Sequence, residues 1–130
     1  STFAAIKFKK TAKLRLGNIN IRRDWGFAGD YVDAMWKMMQ MPKPADYVVA
    51  TGESHTLEEF LDLAAEYTGL GNWQDYVVID DAVKRPTEID ELVGDASKAR
   101  KELNWKPKLS FKELVKIMVE HDLNYYKSDN

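Results

Sequence analysis

Apolar residues recur at helical spacing after residue 30, and this pattern predicts the first clear helix of the chain. Val32, Met35, Trp36 and Met39 lie three or four positions apart, so they share one face of an α-helix. Prolines follow soon after Met39 and end the pattern. Because a stripe of large apolar residues at this spacing is usually core packing, we expect it to be buried.

Local capping signals predict three further helices. Two pairs match the capping box, in which a hydroxyl residue precedes a glutamate by three positions: Thr56 with Glu59, and Ser110 with Glu113. The first of these helices should end near Gly69 or Gly71, because glycine readily adopts the left-handed conformation that closes helices. Asp95 can cap a short helix through Leu103, which should end before Pro107.

Three stretches have the pattern of strands. They are Thr11–Asn20, where apolar and polar residues alternate around a turn, the apolar segment Asp46–Thr51, and the β-branched segment Tyr76–Ile79. Strands and helices therefore alternate along the chain, which is typical of α/β proteins with a small, partly parallel sheet. A length of 130 residues fits one domain, 1–130.

The net charge, the absence of cysteine and the lengths of the apolar stretches limit the functions that this chain can have. The formal net charge of -2 is unlike that of proteins that bind nucleic acid through a basic surface. The absence of cysteine excludes disulfides, thiolate metal sites and cysteine nucleophiles. The apolar stretches fall short of the roughly 18 residues that a membrane span requires. We therefore expect a cytoplasmic protein with neither a membrane nor a nucleic acid as partner.

Two arginines are candidates for binding a diphosphate. Arg23 lies where an extended segment gives way to a helix, and Arg85 precedes a proline that directs its loop. The planar guanidinium donates paired hydrogen bonds to phosphate oxygens, and Glu88 can accept hydrogen bonds from a ribose. On spacing alone the alternative is commoner: a local ion pair, such as Arg23 with Asp24, or a surface salt bridge.

Other chemistry is poorly supported by the sequence. His55 and His121 lack partners at metal-ligand spacing, so we expect no metal site and no catalytic histidine. Adjacent acids such as Asp80 and Asp81 point in different directions and do not form a catalytic pair. The chain contains no Tyr-x-x-x-Lys pair, no G-x-G-x-x-G and no P-loop, so we expect no dinucleotide site of its own.

A series of motifs resembles one known family. In order they are Leu14-Arg15-Leu16-Gly17-Asn18, Arg22-Arg23-Asp24-Trp25-Gly26, Asp30-Tyr31-Val32-Asp33-Ala34-Met35-Trp36, Ala50-Thr51-Gly52-Glu53-Ser54-His55, Arg85-Pro86-Thr87-Glu88-Ile89-Asp90, Gly94-Asp95, and Lys98-Ala99 with Leu103-Asn104-Trp105-Lys106-Pro107. They closely resemble the C-terminal, nucleotide-sugar-binding portion of GDP-mannose 4,6-dehydratases. That family belongs to the extended short-chain dehydrogenases/reductases, whose fold is NAD(P)-binding and Rossmann-like.

The resemblance implies roles for individual residues. Arg23 and Arg85 match the arginines that reach the diphosphate of the sugar nucleotide, and Glu88 matches the acid that contacts its ribose. Asn18 and Arg22 are weaker candidates, which can instead shape the loop. The family reaction uses bound NADP to convert GDP-mannose to GDP-4-keto-6-deoxy-D-mannose.

The resemblance also implies that this chain is one part of an enzyme. The NADP loop and the catalytic residues of the family lie in an N-terminal Rossmann domain that has no counterpart here, so the chain alone should be inactive and bind no cofactor. Expected partners are GDP-mannose or a related GDP-sugar, that N-terminal domain and, in a homo-oligomer, further copies. Three alternatives remain: the corresponding part of a GDP-4-keto-6-deoxymannose reductase, a non-catalytic GDP-sugar-binding module, and a domain that serves only packing or assembly.

Overall fold

The computed structural model describes residues 1–83 and 89–128 of the chain, the side chain of Val83 excepted. The helices are α1 (Thr2–Lys7), α2 (Ala28–Met39), α3 (Leu57–Thr68), α4 (Ser97–Glu102) and α5 (Phe111–Ser128). The strands are β1 (Leu14–Leu16), β2 (Arg22–Arg23), β3 (His55–Thr56), β4 (Val77–Ile79) and β5 (Glu91–Leu92). Among the described residues, no helix is both long and apolar enough to cross a membrane.

The residues divide into two compact units, which are described separately. Unit 1 contains Ser1–Ile21, Thr56–Asp90 and Val115–Asn130, and unit 2 contains Arg22–His55 and Glu91–Leu114. In unit 1, β1 pairs in parallel with β4, and in unit 2, β2 pairs in parallel with β5. This confirms the α/β class with a small, partly parallel sheet that the alternating pattern predicted.

In unit 1, helix α3 begins and ends as its sequence predicts. The Thr56 hydroxyl accepts a hydrogen bond from the Glu59 amide, and the Glu59 carboxylate accepts one from the Thr56 amide, each over 3.0 Å. At the other end Gly69 adopts φ 71°, the left-handed conformation that a side chain would make costly. The helix packs its Leu61 and Ala64 into a core with Phe3, and all three are buried. Its boundaries therefore follow from local chemistry.

In unit 2, a cluster of small residues surrounds one large aromatic side chain. The cluster consists of Ala34, Ala50, Ala96, Ala99, Leu103 and Trp105. Trp105 is only 1% exposed, and its indole N–H donates to the carbonyl oxygen of Asp30 over 2.8 Å, which satisfies the buried polar group. The Asp30 carboxylate is also buried and accepts from the amides of Lys108 and Leu109, over 2.9 Å and 3.2 Å. Asp30 thus joins the start of α2 to the segment that leads into α5.

The last two helices also form where the sequence predicts them. α5 begins at Phe111, and the amide and hydroxyl of Ser110 both donate to Glu113, over 2.8 Å and 2.7 Å. At α4 the residue at the N-cap is Ala96, one position later than predicted, while Asp95 accepts a hydrogen bond from the Ser97 amide over 2.9 Å. Asp95 therefore accepts a hydrogen bond from the first turn of α4, although it is not the N-cap residue.

Two expectations about burial and pairing are wrong. The segment Asp46–Thr51 forms no strand. Its apolar residues serve side-chain packing instead, since Tyr47 and Val49 contact the core cluster while Val48 is 54% exposed. The helix over α2 is confirmed, but its predicted core stripe is not buried: Trp36 is 57% and Met39 74% exposed. The opposite side of α2 faces the core cluster.

Candidate functional site

The candidate site lies in unit 2, where two parallel strands end at one edge. β2 and β5 pair with Arg22 opposite Glu91 and Arg23 opposite Leu92. Parallel strands present their carboxyl ends on the same side, so the residues that follow them are brought together. The Asp24 amide donates to the carbonyl oxygen of Leu92 over 3.0 Å and extends the pairing by one residue. In α/β proteins this edge is the usual position for ligands.

The Asp24 carboxylate holds three loops together at this edge. Its Oδ1 accepts hydrogen bonds from the amide and the hydroxyl of Thr51, over 2.9 Å and 2.6 Å. Its Oδ2 accepts from the amides of Gly52 and Gly94, over 2.9 Å and 3.3 Å. Burial acts to raise the pKa of Asp24, but these hydrogen bonds outweigh it and hold the pKa below its ordinary value. Asp24 is therefore charged at neutral pH and fixes the turn directly after Arg23.

Arg22 is held by neighbours in unit 2. Its Nε donates to the hydroxyl of Ser54 and to the carboxylate of Glu91, each over 3.2 Å, and its Nη2 donates to the Ser54 carbonyl oxygen over 2.6 Å. Hydrogen bonds from the Ser54 hydroxyl and from Arg22 lower the pKa of Glu91. These contacts join β2, β5 and the loop before β3. Such a network suits the lesser role predicted for Arg22, that of shaping the loop.

Arg23, the stronger of the two predicted candidates in β2, also lies at this edge. The residue is half buried and stands at the last position of β2, directly before the turn that Asp24 fixes. Its Nη1 donates to the carbonyl oxygen of Arg22 over 2.7 Å. A guanidinium carries five N–H donors in a rigid fork, which matches the geometry of phosphate oxygens. Its backbone is thus anchored at a strand end, where binding side chains are commonly presented.

Of the remaining predicted site residues, one belongs to unit 1 and two lie outside the described residues. Asn18 belongs to unit 1, where its side-chain oxygen accepts the Asn20 amide over 2.9 Å and shapes a turn. Arg85 and Glu88 lie outside the described residues. Their assignment therefore rests on the sequence motif.

A pocket of about 300 Å³ with an aromatic wall also lies in unit 2. The rings of Trp25 and Phe111 stack with centroids 5.6 Å apart, and the rings of His55 and Phe111 with centroids 3.9 Å apart. Glu53 and Glu113 add carboxylates to the lining. A stacked wall beside hydrogen-bond acceptors is suited to a flat group with N–H donors. The lining includes neither Arg22 nor Arg23.

Sequence reasoning missed both the role of Asp24 and the stacked wall. The sequence suggested Asp24 only as an ion-pair partner of Arg23, whereas the carboxylate binds amides 27 and 70 positions away. His55 and Phe111 are likewise distant in the chain and show no local signal of contact. No spacing pattern encodes such contacts, because only the tertiary fold brings these segments together.

Comparison with known proteins identifies relatives that match most of this chain. A sequence model of a family described as GDP-mannose 4,6 dehydratase matches residues 1–118. GDP-mannose 4,6 dehydratase 1 of Arabidopsis thaliana is 60% identical over 124 residues, which cover 95% of this chain and 34% of that protein. The human GDP-mannose 4,6 dehydratase is 40% identical over 130 residues, covering 88% of this chain and 35% of that protein. The chain thus spans about a third of the length of these curated relatives.

Solved structures share the fold at lower sequence identity. RMD from Pseudomonas aeruginosa, complexed with NADPH, superposes with a TM-score of 0.83 at 21% identity, covering 95% of this chain and 40% of that one. UDP-glucose 4-epimerase from Thermotoga maritima, with UDP-glucose, has a TM-score of 0.78 at 22% identity, covering 99% and 39%. At this identity the likeness concerns the fold alone, and it agrees with the α/β class predicted from the sequence.

Proposed function

The chain belongs to the GDP-mannose 4,6-dehydratase family, and we propose that its part in the family's reaction is to bind the GDP portion of a GDP-sugar. Arg23 and Arg85 contact the diphosphate, and Glu88 contacts the ribose. Asn18 and Arg22 shape the loops that present them. The whole of residues 1–130 acts as the nucleotide-sugar-binding domain of a longer enzyme.

The observation that carries this proposal is the position of Arg23. It stands at the carboxyl end of β2, and the next residue, Asp24, is locked by four hydrogen bonds from Thr51, Gly52 and Gly94. A binding group held on a rigid strand end loses little conformational entropy when it meets its ligand. The same position matches the arginine of the family motif. Geometry and motif therefore support the same residue independently.

The complete enzyme, in this proposal, is an NADP-dependent lyase that converts GDP-mannose to GDP-4-keto-6-deoxy-D-mannose in the cytoplasm. Its catalytic residues lie in an N-terminal Rossmann domain, so the 130-residue chain alone is inactive. Two observations support this division: the chain spans about a third of its curated relatives, and it lacks the Tyr-x-x-x-Lys pair. Self-association into a homo-oligomer belongs to the same proposal.

The glycines and helix ends that the structure describes do not fit a dinucleotide. A pyrophosphate is bound by amides at a helix amino terminus, behind a glycine-rich turn. The two closely spaced glycines with positive φ, Gly69 and Gly71, instead follow the carboxyl end of α3, where a helix presents carbonyl oxygens. We therefore assign NADP binding to the N-terminal Rossmann domain of the longer enzyme, which lies outside these 130 residues.

Titration of the chain with GDP, followed by calorimetry, tests the binding proposal. Arg23→Ala and Arg85→Ala should each weaken binding by about 1.5 to 3 kcal/mol, the usual worth of a hydrogen bond to a charged group, or roughly 10- to 150-fold in Kd. Arg15→Ala is the matched control, because Arg15 is exposed and pairs only weakly with Asp80, over 3.2 Å. Arg23→Lys keeps the charge but removes the fork, and should recover only part of the loss.

Several outcomes would contradict this assignment. If the folded wild-type chain fails to bind GDP, it holds no preformed site. An equal loss in Arg15→Ala would point to unspecific attraction of an anion by any positive charge. Unchanged binding in both Arg23→Ala and Arg85→Ala would remove these residues from the site.

Three alternatives are separated by the DNA upstream of this chain and by substrate assays. A glycine-rich loop and Tyr-x-x-x-Lys encoded upstream support an enzyme, whereas a start codon directly before Ser1 favours a stand-alone GDP-sugar-binding module. The longer protein should consume GDP-mannose if it is the dehydratase. A reductase would leave GDP-mannose unchanged and reduce GDP-4-keto-6-deoxymannose. A domain that serves only assembly would bind neither nucleotide sugar.

A further inference from the structure

Arg22 and Glu91 stand opposite each other in the parallel pair of β2 and β5. Successive side chains of a strand point to opposite faces of its sheet, so Arg22 and Glu91 share one face and Arg23 points to the other. From this position the Nε of Arg22 donates to the Glu91 carboxylate and to the Ser54 hydroxyl, each over 3.2 Å. The Ser54 hydroxyl donates in turn to the same oxygen of Glu91. We call these three residues, Arg22, Ser54 and Glu91, the Arg22 network.

The Arg22 network differs from an ordinary surface ion pair. An isolated pair of exposed charges contributes little to stability, and the side chains of Arg22 and Glu91 are 40% and 54% exposed. Here, however, Nη2 of Arg22 also donates to the backbone carbonyl oxygen of Ser54 over 2.6 Å. The planar guanidinium is therefore held at two of its nitrogens. Its partners lie 32 and 69 positions away along the chain, so the network restrains β2 between two distant segments.

A direct contact links the Arg22 network to Arg23. Nη1 of Arg23 donates to the carbonyl oxygen of Arg22 over 2.7 Å. Because the peptide bond is planar, the direction of this carbonyl follows from the backbone of Arg22. The restraint on Arg22 thus also sets where the guanidinium of Arg23 lies. Asp24 fixes the strand end from the residue after Arg23, and the Arg22 network fixes it from the residue before.

We propose that Glu91 is a positioning residue for the diphosphate site, which acts through Arg22 and holds Arg23 in place for its ligand. This inference rests on the proposed function, because it concerns how Arg23 meets a diphosphate. A donor that is already fixed loses little conformational entropy on binding. The Arg22 network therefore raises the affinity for the ligand, although Glu91 makes no contact with it.

The negative charge of Glu91 makes positioning separable from a purely electrostatic effect. Hydrogen bonds from the Ser54 hydroxyl and from Arg22 lower the pKa of Glu91, so its carboxylate is charged at neutral pH. A negative charge near the site repels a diphosphate. Removing the charge should strengthen GDP binding if electrostatics alone mattered, whereas loss of positioning should weaken it. The two explanations therefore predict changes of opposite sign.

Calorimetric titration of the 130-residue chain with GDP tests the proposal. Glu91→Leu removes both the charge and the acceptor, and should weaken binding at least about threefold, as expected for coupling between residues in contact. Glu91→Gln removes the charge but keeps an acceptor for Arg22, so its Kd should lie between those of the wild type and Glu91→Leu. Glu120→Leu is the matched control, because Glu120 is exposed on α5 and pairs with Lys116 over 3.9 Å. Its Kd should equal that of the wild type.

A double-mutant cycle tests whether Glu91 acts through Arg22. In an Arg22→Gln background, Glu91→Leu should change the Kd by less than about 1.5-fold, because the residue that transmits its effect is gone. A loss of stability alone would not give this result, since titration of folded chains reports binding and not unfolding. Circular dichroism at the temperature of the titration shows whether each variant is folded.

Unchanged or tighter GDP binding in Glu91→Leu would overturn the proposal. So would an equal effect of Glu91→Leu in the wild-type and Arg22→Gln backgrounds. If Glu91→Leu does not fold, Glu91→Gln decides by the sign of its effect: weaker binding supports positioning, and unchanged or tighter binding contradicts it.

Failure of the proposed function gives a different result. A folded wild-type chain that does not bind GDP, or whose binding survives in Arg23→Ala, would remove the site itself and the positioning role with it. If the wild type binds GDP and Arg23→Ala weakens binding but Glu91→Leu does not, the site stands and only the role of Glu91 is refuted.

Discussion

Replacing Asp24 by asparagine should destabilise unit 2, because one oxygen of a carboxylate with four hydrogen bonds becomes an NH₂ group. In either orientation the NH₂ group faces donors. In the less costly orientation the NH₂ group points toward Thr51. The Thr51 hydroxyl can then rotate and accept a hydrogen bond from it, but the Thr51 amide loses its acceptor. A hydrogen bond to a charged group is worth about 1.5 to 3 kcal/mol, and the bonds that remain lose their charge assistance, so we expect a loss of about 2 to 3 kcal/mol in the free energy of unfolding.

The stability lost in Asp24→Asn should depend on pH, and the direction of the Asp24 pKa shift determines how. The pKa of Asp24 is below its ordinary value in the folded protein, since hydrogen bonds from Thr51, Gly52 and Gly94 outweigh burial. The stability that Asp24 contributes is therefore fully present above its unfolded pKa of about 3.9, and is lost as the pH falls through the folded pKa. The difference between wild type and Asp24→Asn should be constant from neutral pH down to about 5 and shrink below about 4.

Urea denaturation followed by circular dichroism measures the global effect, and amide hydrogen exchange measures the local one. Exchange of the Thr51 amide should accelerate in Asp24→Asn, because that amide no longer has a charged acceptor. Asp46→Asn is the matched control: the residue is exposed and the charge change is the same, so we expect less than about 0.5 kcal/mol. The reasoning is refuted if Asp24→Asn costs no more than this control at pH 7, or if its cost is undiminished at pH 2.

Two substitutions test the packing and capping arguments. Gly94→Ala places a methyl group 2.3 Å from Cβ of Ala50, so overpacking should cost about 1 to 3 kcal/mol in thermal unfolding; an unchanged Tm would mean that the neighbouring segment yields freely. Thr56→Ala removes the hydroxyl of the capping box and should cost about 1 kcal/mol, which Thr56→Ser restores. Urea unfolding followed at 222 nm measures the capping loss, and an equal loss in Thr56→Ser would argue against a hydrogen-bonded cap.

The limits of helices could be predicted because the signals are local. The capping box of Thr56 with Glu59 and the left-handed Gly69 define α3, and each involves residues within one helical turn. Ser110 and Glu113 mark the start of α5 in the same way. The physical reason is that the first amides and last carbonyls of a helix need nearby partners, whatever the rest of the fold does.

Burial could not be predicted in the same way, because it depends on which other segments are present. The helical spacing of the four apolar residues of α2 was identified correctly, but the conclusion that they pack in the core was wrong; they are Val32, Met35, Trp36 and Met39. A period of 3.6 residues indicates which side chains share a face and not what that face meets. The prediction of a strand over Asp46–Thr51 was wrong for a related reason. A strand requires a neighbouring strand to pair with, and an apolar composition does not supply one.

For the candidate site, the sequence by itself determined which residue types stand in the family motifs, including Arg23, Arg85 and Glu88. It also determined the helix ends and the α/β class, since these follow from local chemistry and from the order of elements. Only the tertiary structure decided that Asp24 joins the turn after β2 to Thr51, Gly52 and Gly94. A hydrogen bond across 70 positions leaves no periodic pattern in the sequence, because its partners meet only in the folded structure, in which β2 pairs with β5.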